Sequence, residues 1–121
     1  MVCNSANNDS LTDNDNAMHW IVVETEDVEQ DLERFVSYLL FEKMSEQAAK
    51  AVLDDYDETL DELGTVAGIL KIVDNPILAD LGYRKIRFRR HDYYLMYRIE
   101  GQTAIVDRMY HDLQDPNGTL K

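Results

Sequence analysis

The sequence predicts an α+β domain: an N-terminal strand, a helical hairpin, and then a three-stranded antiparallel meander, giving a twisted sheet with its helices on one face. Three observations predict it. A short β-branched run, "WIVVE" at 20–24, precedes two stretches whose apolar residues recur at helical spacing. Three strand-like runs follow, separated by gaps short enough for hairpins. The chain has 121 residues, 45% of them hydrophobic, enough for one core and too few for two.

Residues 1–17, "MVCNSANNDSLTDNDNA", are mostly Asn, Asp and Ser and offer too little apolar surface to offset the entropy of ordering. They are predicted to be a disordered tail, with the patterned domain at 18–115, a C-terminal tail at 116–121, and Met18 an alternative place for translation to begin. After the "WIVVE" strand, Thr25 is suited to cap a helix whose first turn carries Glu26, Asp27 and Glu29, where the helix dipole favours anions. Val28, Leu32, Phe35, Val36, Leu39 and Leu40 form its apolar stripe, which ends near Phe41. Ser45 is the second cap. Ala49, Val52, Leu53, Tyr56, Leu60 and Leu63 form the next stripe, with Gly64 placed to end that helix. Its Asp54, Asp55, Asp57, Glu58, Asp61 and Glu62 read as a solvated face.

Gly64, Gly68 and Asn75-Pro76 break up a connector over 64–80 that contains a short helical turn. Strands are then predicted at Tyr83–Arg90, Tyr93–Ile99 and Thr103–Tyr110. In the first, Ile86 and Phe88 alternate with Lys85, Arg87, Arg89 and His91, so one side is apolar and the other basic. In the last two, apolar residues occupy both parities. Both sheet faces are therefore expected to be covered, one by the helices and the other by a partner.

Charge narrows the function. The formal net charge is −12, yet it is unevenly placed: residues 1–63 hold 17 acidic against 3 basic side chains, and residues 64–121 hold 7 against 9. The total argues against general affinity for nucleic acid, while the basic strand leaves room for a local phosphate contact. Cys3 is the only cysteine and His19, His91 and His111 are scattered, so no metal-ligand spacing occurs and no metal or other cofactor is expected. The sequence has no apolar run of membrane-spanning length and no secretory signal, and is read as cytoplasmic.

This order of elements, with "GYRKIRF" at 82–88 and "YYLMYRIEGQTAIVDRMYHDLQD" at 93–115, resembles the RelE/ParE superfamily of bacterial type II toxins. The resemblance implies an antitoxin partner and, as the leading reading, inhibition of translation by ribosome-dependent mRNA cleavage; the alternatives are inhibition of DNA gyrase and a degenerate, non-toxic binding module of the same fold. For the nuclease, a ribose 2′-OH would attack the adjacent phosphate, which calls for a base, cations at the phosphoryl oxygens, and an acid for the leaving oxygen. The expected catalytic set is His111, Arg87, Arg89 and Tyr110, with Arg84, Lys85, Arg90, His91 and Arg108 binding the ribosome-held mRNA. Arg98 is read as pairing with Glu100 or supporting the core. Tyr93, Tyr94 and Tyr97 suit either packing or base stacking, and packing is preferred. The chain departs from the family's nucleases at Tyr94, where an arginine is expected, and in its connector, which lacks the catalytic glutamate and has Lys71 as its only basic residue.

Overall fold

A computed structural model describes residues 19–112. Strand β1 is Ile21–Glu24, helix α1 Glu26–Ser37, and a π-helical turn, Tyr38–Glu42, joins it to α2, Glu46–Val66. Helix α3, Pro76–Asp80, precedes strands β2 (Arg84–Arg87), β3 (Tyr93–Glu100) and β4 (Thr103–His111). The expected tails at 1–17 and 116–121, together with Cys3 and Met18, lie outside the described residues.

The sheet has four strands in the order β1-β4-β3-β2. β2, β3 and β4 form the predicted meander, and β1 adds to it in parallel, Ile21 opposite Thr103 and Glu24 opposite Val106. The hairpin between β3 and β4 turns on Gly101, which takes φ +61°. One residue is extra in β4: Met96 faces Arg108 while Tyr97 faces Val106, leaving Asp107 as a bulge.

Helix starts follow the predicted caps. The Thr25 hydroxyl accepts from Val28 N at 3.2 Å and donates to Val106 O at 3.0 Å, so one side chain both starts α1 and ties it to β4. The Ser45 hydroxyl accepts from Ala48 N at 3.0 Å. Gly64 does not end α2; the helix continues to Val66, because Gly64 lies under β1, where its carbonyl accepts from Trp20 N at 2.9 Å. Gly68 is the position that requires glycine. A Cβ there would lie 2.5 Å from the Trp20 ring, too close for any side chain.

The main core lies between the helices and one sheet face: Val28, Val52, Tyr56 and Leu63 from the helices against Leu95, Tyr97, Val106 and Met109. Full burial of a side chain such as Leu63 stabilises the fold by about 2 kcal/mol. The opposite face carries Tyr94 and Met96, packed by Val73, Leu78 and Tyr83 of the connector. The sequence left that cover to a partner, but over these residues the chain supplies it itself.

Two buried carboxylates complete the frame. Asp31 of α1 accepts from Met109 N at 3.0 Å and from Arg108 at 2.7 and 3.1 Å, which caps the part of β4 that extends beyond β1. Asp55 of α2, fully buried, accepts from the backbone amides of Arg89 at 3.1 Å and Arg90 at 2.9 Å. The prediction of a wholly solvated acidic face is therefore corrected at Asp55. The same contacts correct the predicted strand through Arg90: β2 stops at Arg87, and residues 88–92 form a loop folded around this carboxylate.

Candidate functional site

Register decides which of the expected site residues share a face. Arg87 sits opposite Tyr94, and Tyr94 opposite Tyr110; Lys85 sits opposite Met96, and Met96 opposite Arg108. These two rows form the basic part of the face away from the helices. The Lys85 ammonium lies 4.7 Å from the Tyr94 ring centre, the Tyr94 and Tyr110 rings are 5.6 Å apart, and the Arg108 guanidinium is 5.7 Å from Tyr110. The result is a run of cation, ring, ring and cation, each cation–ring contact contributing about 0.5–1 kcal/mol where exposed.

His111 is not in that run. It sits opposite Tyr93 on the helix face, its ring 5.1 Å from the Tyr93 ring, and Tyr93 in turn meets Phe35 at 4.9 Å. The expected acid–base histidine thus lies on the opposite side of the sheet from Lys85, Arg87, Tyr110 and Arg108.

Most of the cations already have intramolecular work. Arg87 donates two bonds of 2.7 Å to Asp112, which holds its carboxyl below the ordinary range, chiefly through that hydrogen bond. Arg84 lies on the helix side and donates to Gly68 O at 3.2 Å and Leu70 O at 2.6 Å, satisfying carbonyls just past the end of α2. Arg90 pairs with Glu58 at 2.7 Å. His91 Nδ1 lies 2.7 Å from Asp55 Oδ2. Arg108 is held by Asp31, and Arg98 by Glu100 and Asp107. The side chains of Arg89 and Lys85 form no ion pair among the described residues; Arg89 borders a cleft with Glu58, Asp61 and Glu62.

The pKa shifts follow these contacts. Burial pushes the Asp31 carboxyl up, but hydrogen bonds from Arg108 and Met109 N and the charges of Arg108 and Arg34 outweigh it, so the net shift is down. Asp55 behaves alike: burial raises it, and His91 with the two loop amides brings it below its ordinary value. Burial pushes the Tyr97 hydroxyl up to about 12; it donates to Ala67 O at 2.7 Å and serves the core rather than a ligand.

Sequence reasoning missed the roles of Asp31 and Asp55, although a signal was present. Asp31 is three residues after Val28 and Asp55 three after Val52, which places both inside the apolar stripes of their helices. A carboxylate in that position has to find donors. Among the described residues no cluster of side chains could hold a metal ion, and no helix is long and apolar enough to cross a membrane.

A helical hairpin on one face of a mixed four-stranded sheet, with cations and aromatic rings on the other face, defines the class: small toxins of the RelE/ParE fold. The model of the ParE toxin of the type II toxin–antitoxin system parDE matches residues 22–116, most of the chain, and the chain belongs to that family. Solved structures agree in fold. The chromosomal ParDE toxin–antitoxin system from P. aeruginosa superposes with a TM-score of 0.63 at 18% identity, over 78% of this chain and 97% of that one. The toxin–antitoxin complex RelBE2 from Mycobacterium tuberculosis gives 0.52 at 23% identity, over 81% and 97%. No curated protein matches in sequence.

Proposed function

We propose that this chain is the toxin of a type II pair and acts by binding a protein target of the ParE kind, DNA gyrase, with a cognate antitoxin as its inhibitor. The observation that carries the reading is the placement of His111 on the helix face of the sheet, with Arg87 and Tyr110 on the other face. Intramolecular pairing of Arg84, Arg87, Arg90, His91 and Arg108 supports it further. A surface whose charges are already satisfied is suited to docking against protein and poorly suited to collecting charge on a reacting phosphate.

The test is purified protein in two parallel assays. Loss of gyrase supercoiling with cell-free translation intact is the expected result. Translation arrest with mRNA cut in the ribosomal A site, and supercoiling untouched, overturns it. Indifference in both assays identifies a degenerate binding module.

One observation favours the mRNA reading as a second possibility. The half-buried Tyr110 ring lies beside the Arg108 guanidinium on the same face as Lys85, an aromatic and cationic pairing of the kind a single-stranded RNA surface uses. That reading requires mRNA cleavage to fall when Lys85 is replaced by alanine.

A further inference from the structure

The Asp55–His91 pair orients one more atom than the loop needs. Asp55 is fully buried and held below its ordinary value, so it is a carboxylate at neutral pH and can only accept. The hydrogen between His91 Nδ1 and Asp55 Oδ2, 2.7 Å apart, therefore belongs to Nδ1, and Nε2 keeps its lone pair. Nε2 has no hydrogen-bond partner among the described residues. His91 is 28% exposed although its Nδ1 edge lies against a carboxylate with no exposure, so the open edge of the ring is the one that carries Nε2. A buried acid that fixes the tautomer of a histidine whose other nitrogen faces outward makes an oriented nucleophile.

The neighbouring groups decide what it can attack. An acyl group would need backbone amides for its oxyanion, and the two at hand, Arg89 N and Arg90 N, already serve Asp55. A phosphoryl group needs guanidiniums, and these are present. Arg89 forms no ion pair among the described residues, and the exposed Arg90 reaches Glu58 at 2.7 Å and comes within 4.0 Å of Asp55 Oδ1. The same corner is rich in acid: Asp92 follows in the loop, Glu58, Asp61 and Glu62 border Arg89, and Asp54 is paired with Lys50 at 3.4 Å. With Asp55, six carboxylates stand against three cations, a field that repels a polyanionic donor such as a nucleoside triphosphate. A zwitterionic donor suits it better, its phosphoryl oxygens toward the guanidiniums and its ammonium end toward the carboxylates.

We propose that His91 Nε2 is a phosphoryl-acceptor site, modified by small donors that carry a P–N bond and a neutral amine leaving group, the phosphoramidate class, with Asp55 as its positioning residue. Nε2 attacks phosphorus, the P–N bond breaks, and the amine leaves with the bonding electron pair and the protons of the donor's own ammonium group. The ring takes up the positive charge, Nδ1 keeps its proton, and the Asp55 carboxylate stabilises the phosphoimidazolium so formed. No further reactant enters the step. The product adds about two negative charges beside Glu58, and Arg90 exchanges that exposed partner for the phosphoryl oxygens.

The experiment incubates the full chain with potassium phosphoramidate at neutral pH, follows phosphoryl gain by intact mass, and places the group by tandem mass spectra and phosphorus NMR. The expected product carries one phosphoryl group on His91 Nε2, lost in acid and kept in alkali, and forms about tenfold faster than on the same chain unfolded in urea. Asp55→Asn keeps the shape of the side chain and removes its charge. It should slow the reaction about tenfold while the Arg89 and Arg90 amides stay protected from exchange, a result that a merely anchoring role would not give. Should Asp55→Asn fail to fold, Arg90→Gln supplies the second reading, about threefold slower with circular dichroism unchanged. Equal rates in the folded and unfolded chain, an undiminished rate in folded Asp55→Asn, or phosphorylation at Nδ1 overturns the proposal. So does preference for His19 or His111, an alkali-labile product on a carboxylate, or a label that survives His91→Gln. None of these outcomes turns on gyrase or translation.

Discussion

Asp55 Oδ2 lies 2.7 Å from His91 Nδ1, and the same carboxylate takes the amides of Arg89 and Arg90. One buried acid on α2 therefore fixes the whole loop between β2 and β3. Replacing Asp55 with alanine leaves two amides and an imidazole without their acceptor, and should destabilise the chain by about 2–4 kcal/mol. Urea denaturation measures this; a loss below about 0.5 kcal/mol would show that water replaces the carboxylate without cost.

Acid should unfold the protein through the same groups. Asp31, Asp55 and Asp112 are each held below the ordinary carboxylate value of 3.8, so the unfolded chain binds more protons in that range. Their stabilising contribution is complete above 3.8 and declines as pH falls through the lowered values. Melting temperature should be nearly flat from these groups at neutral pH and fall steeply below 3.8, and Asp31→Asn with Asp55→Asn should flatten that slope. An unchanged slope in the double variant would assign acid sensitivity to other carboxylates. At the alkaline end Tyr97, raised from 10.0 to about 12, contributes stability that is present below 10 and lost as pH rises toward 12.

Gly68→Ala places a Cβ 2.5 Å from the Trp20 ring and forces the indole out of its seat. The expected cost is about 1–3 kcal/mol, accompanied by a red shift of the single tryptophan's fluorescence. Trp20→Ala removes the clash, so Gly68→Ala made in that background should cost less than half as much. Equal costs in the two backgrounds would locate the strain elsewhere.

Arg87→Ala breaks the two bonds to Asp112, but the pair is substantially exposed, with Arg87 at 52% and Asp112 at 33%. Stability should fall by no more than about 1 kcal/mol. Under the gyrase reading, toxicity on induced expression should persist in Arg87→Ala and in the Arg87/Arg89/His111 triple alanine variant. A hundredfold or greater loss of killing in the triple variant, with folding intact by circular dichroism, would restore the nuclease reading.

Much of the fold was legible because local signals agreed with one another. Thr25 and Ser45 sit where caps were needed, and Ile86 and Phe88 alternate with cations as a half-buried strand should. Gly64 misled because a glycine can end a helix or admit a neighbouring strand, and only the placement of Trp20 distinguishes the two. The site was harder to read. His111 and Tyr110 are adjacent in sequence, and in a strand adjacency puts side chains on opposite faces; the bulge at Asp107 then decides which residue goes where. The basic residues clustered in sequence for several separate reasons: one supports the end of a helix, two pair with buried acids, and one faces an aromatic ring.

The pairing of β1 with β4 joins the first described strand to the last, and β4 lies in the interior of the sheet. During synthesis the helices and β1 emerge long before the strand that must lie between β1 and β3. Until the ribosome has released residues up to about His111, the nascent chain has neither a closed sheet nor the acceptor groups for Thr25. Truncated or stalled products that end before His111 should accordingly be inert and easily degraded.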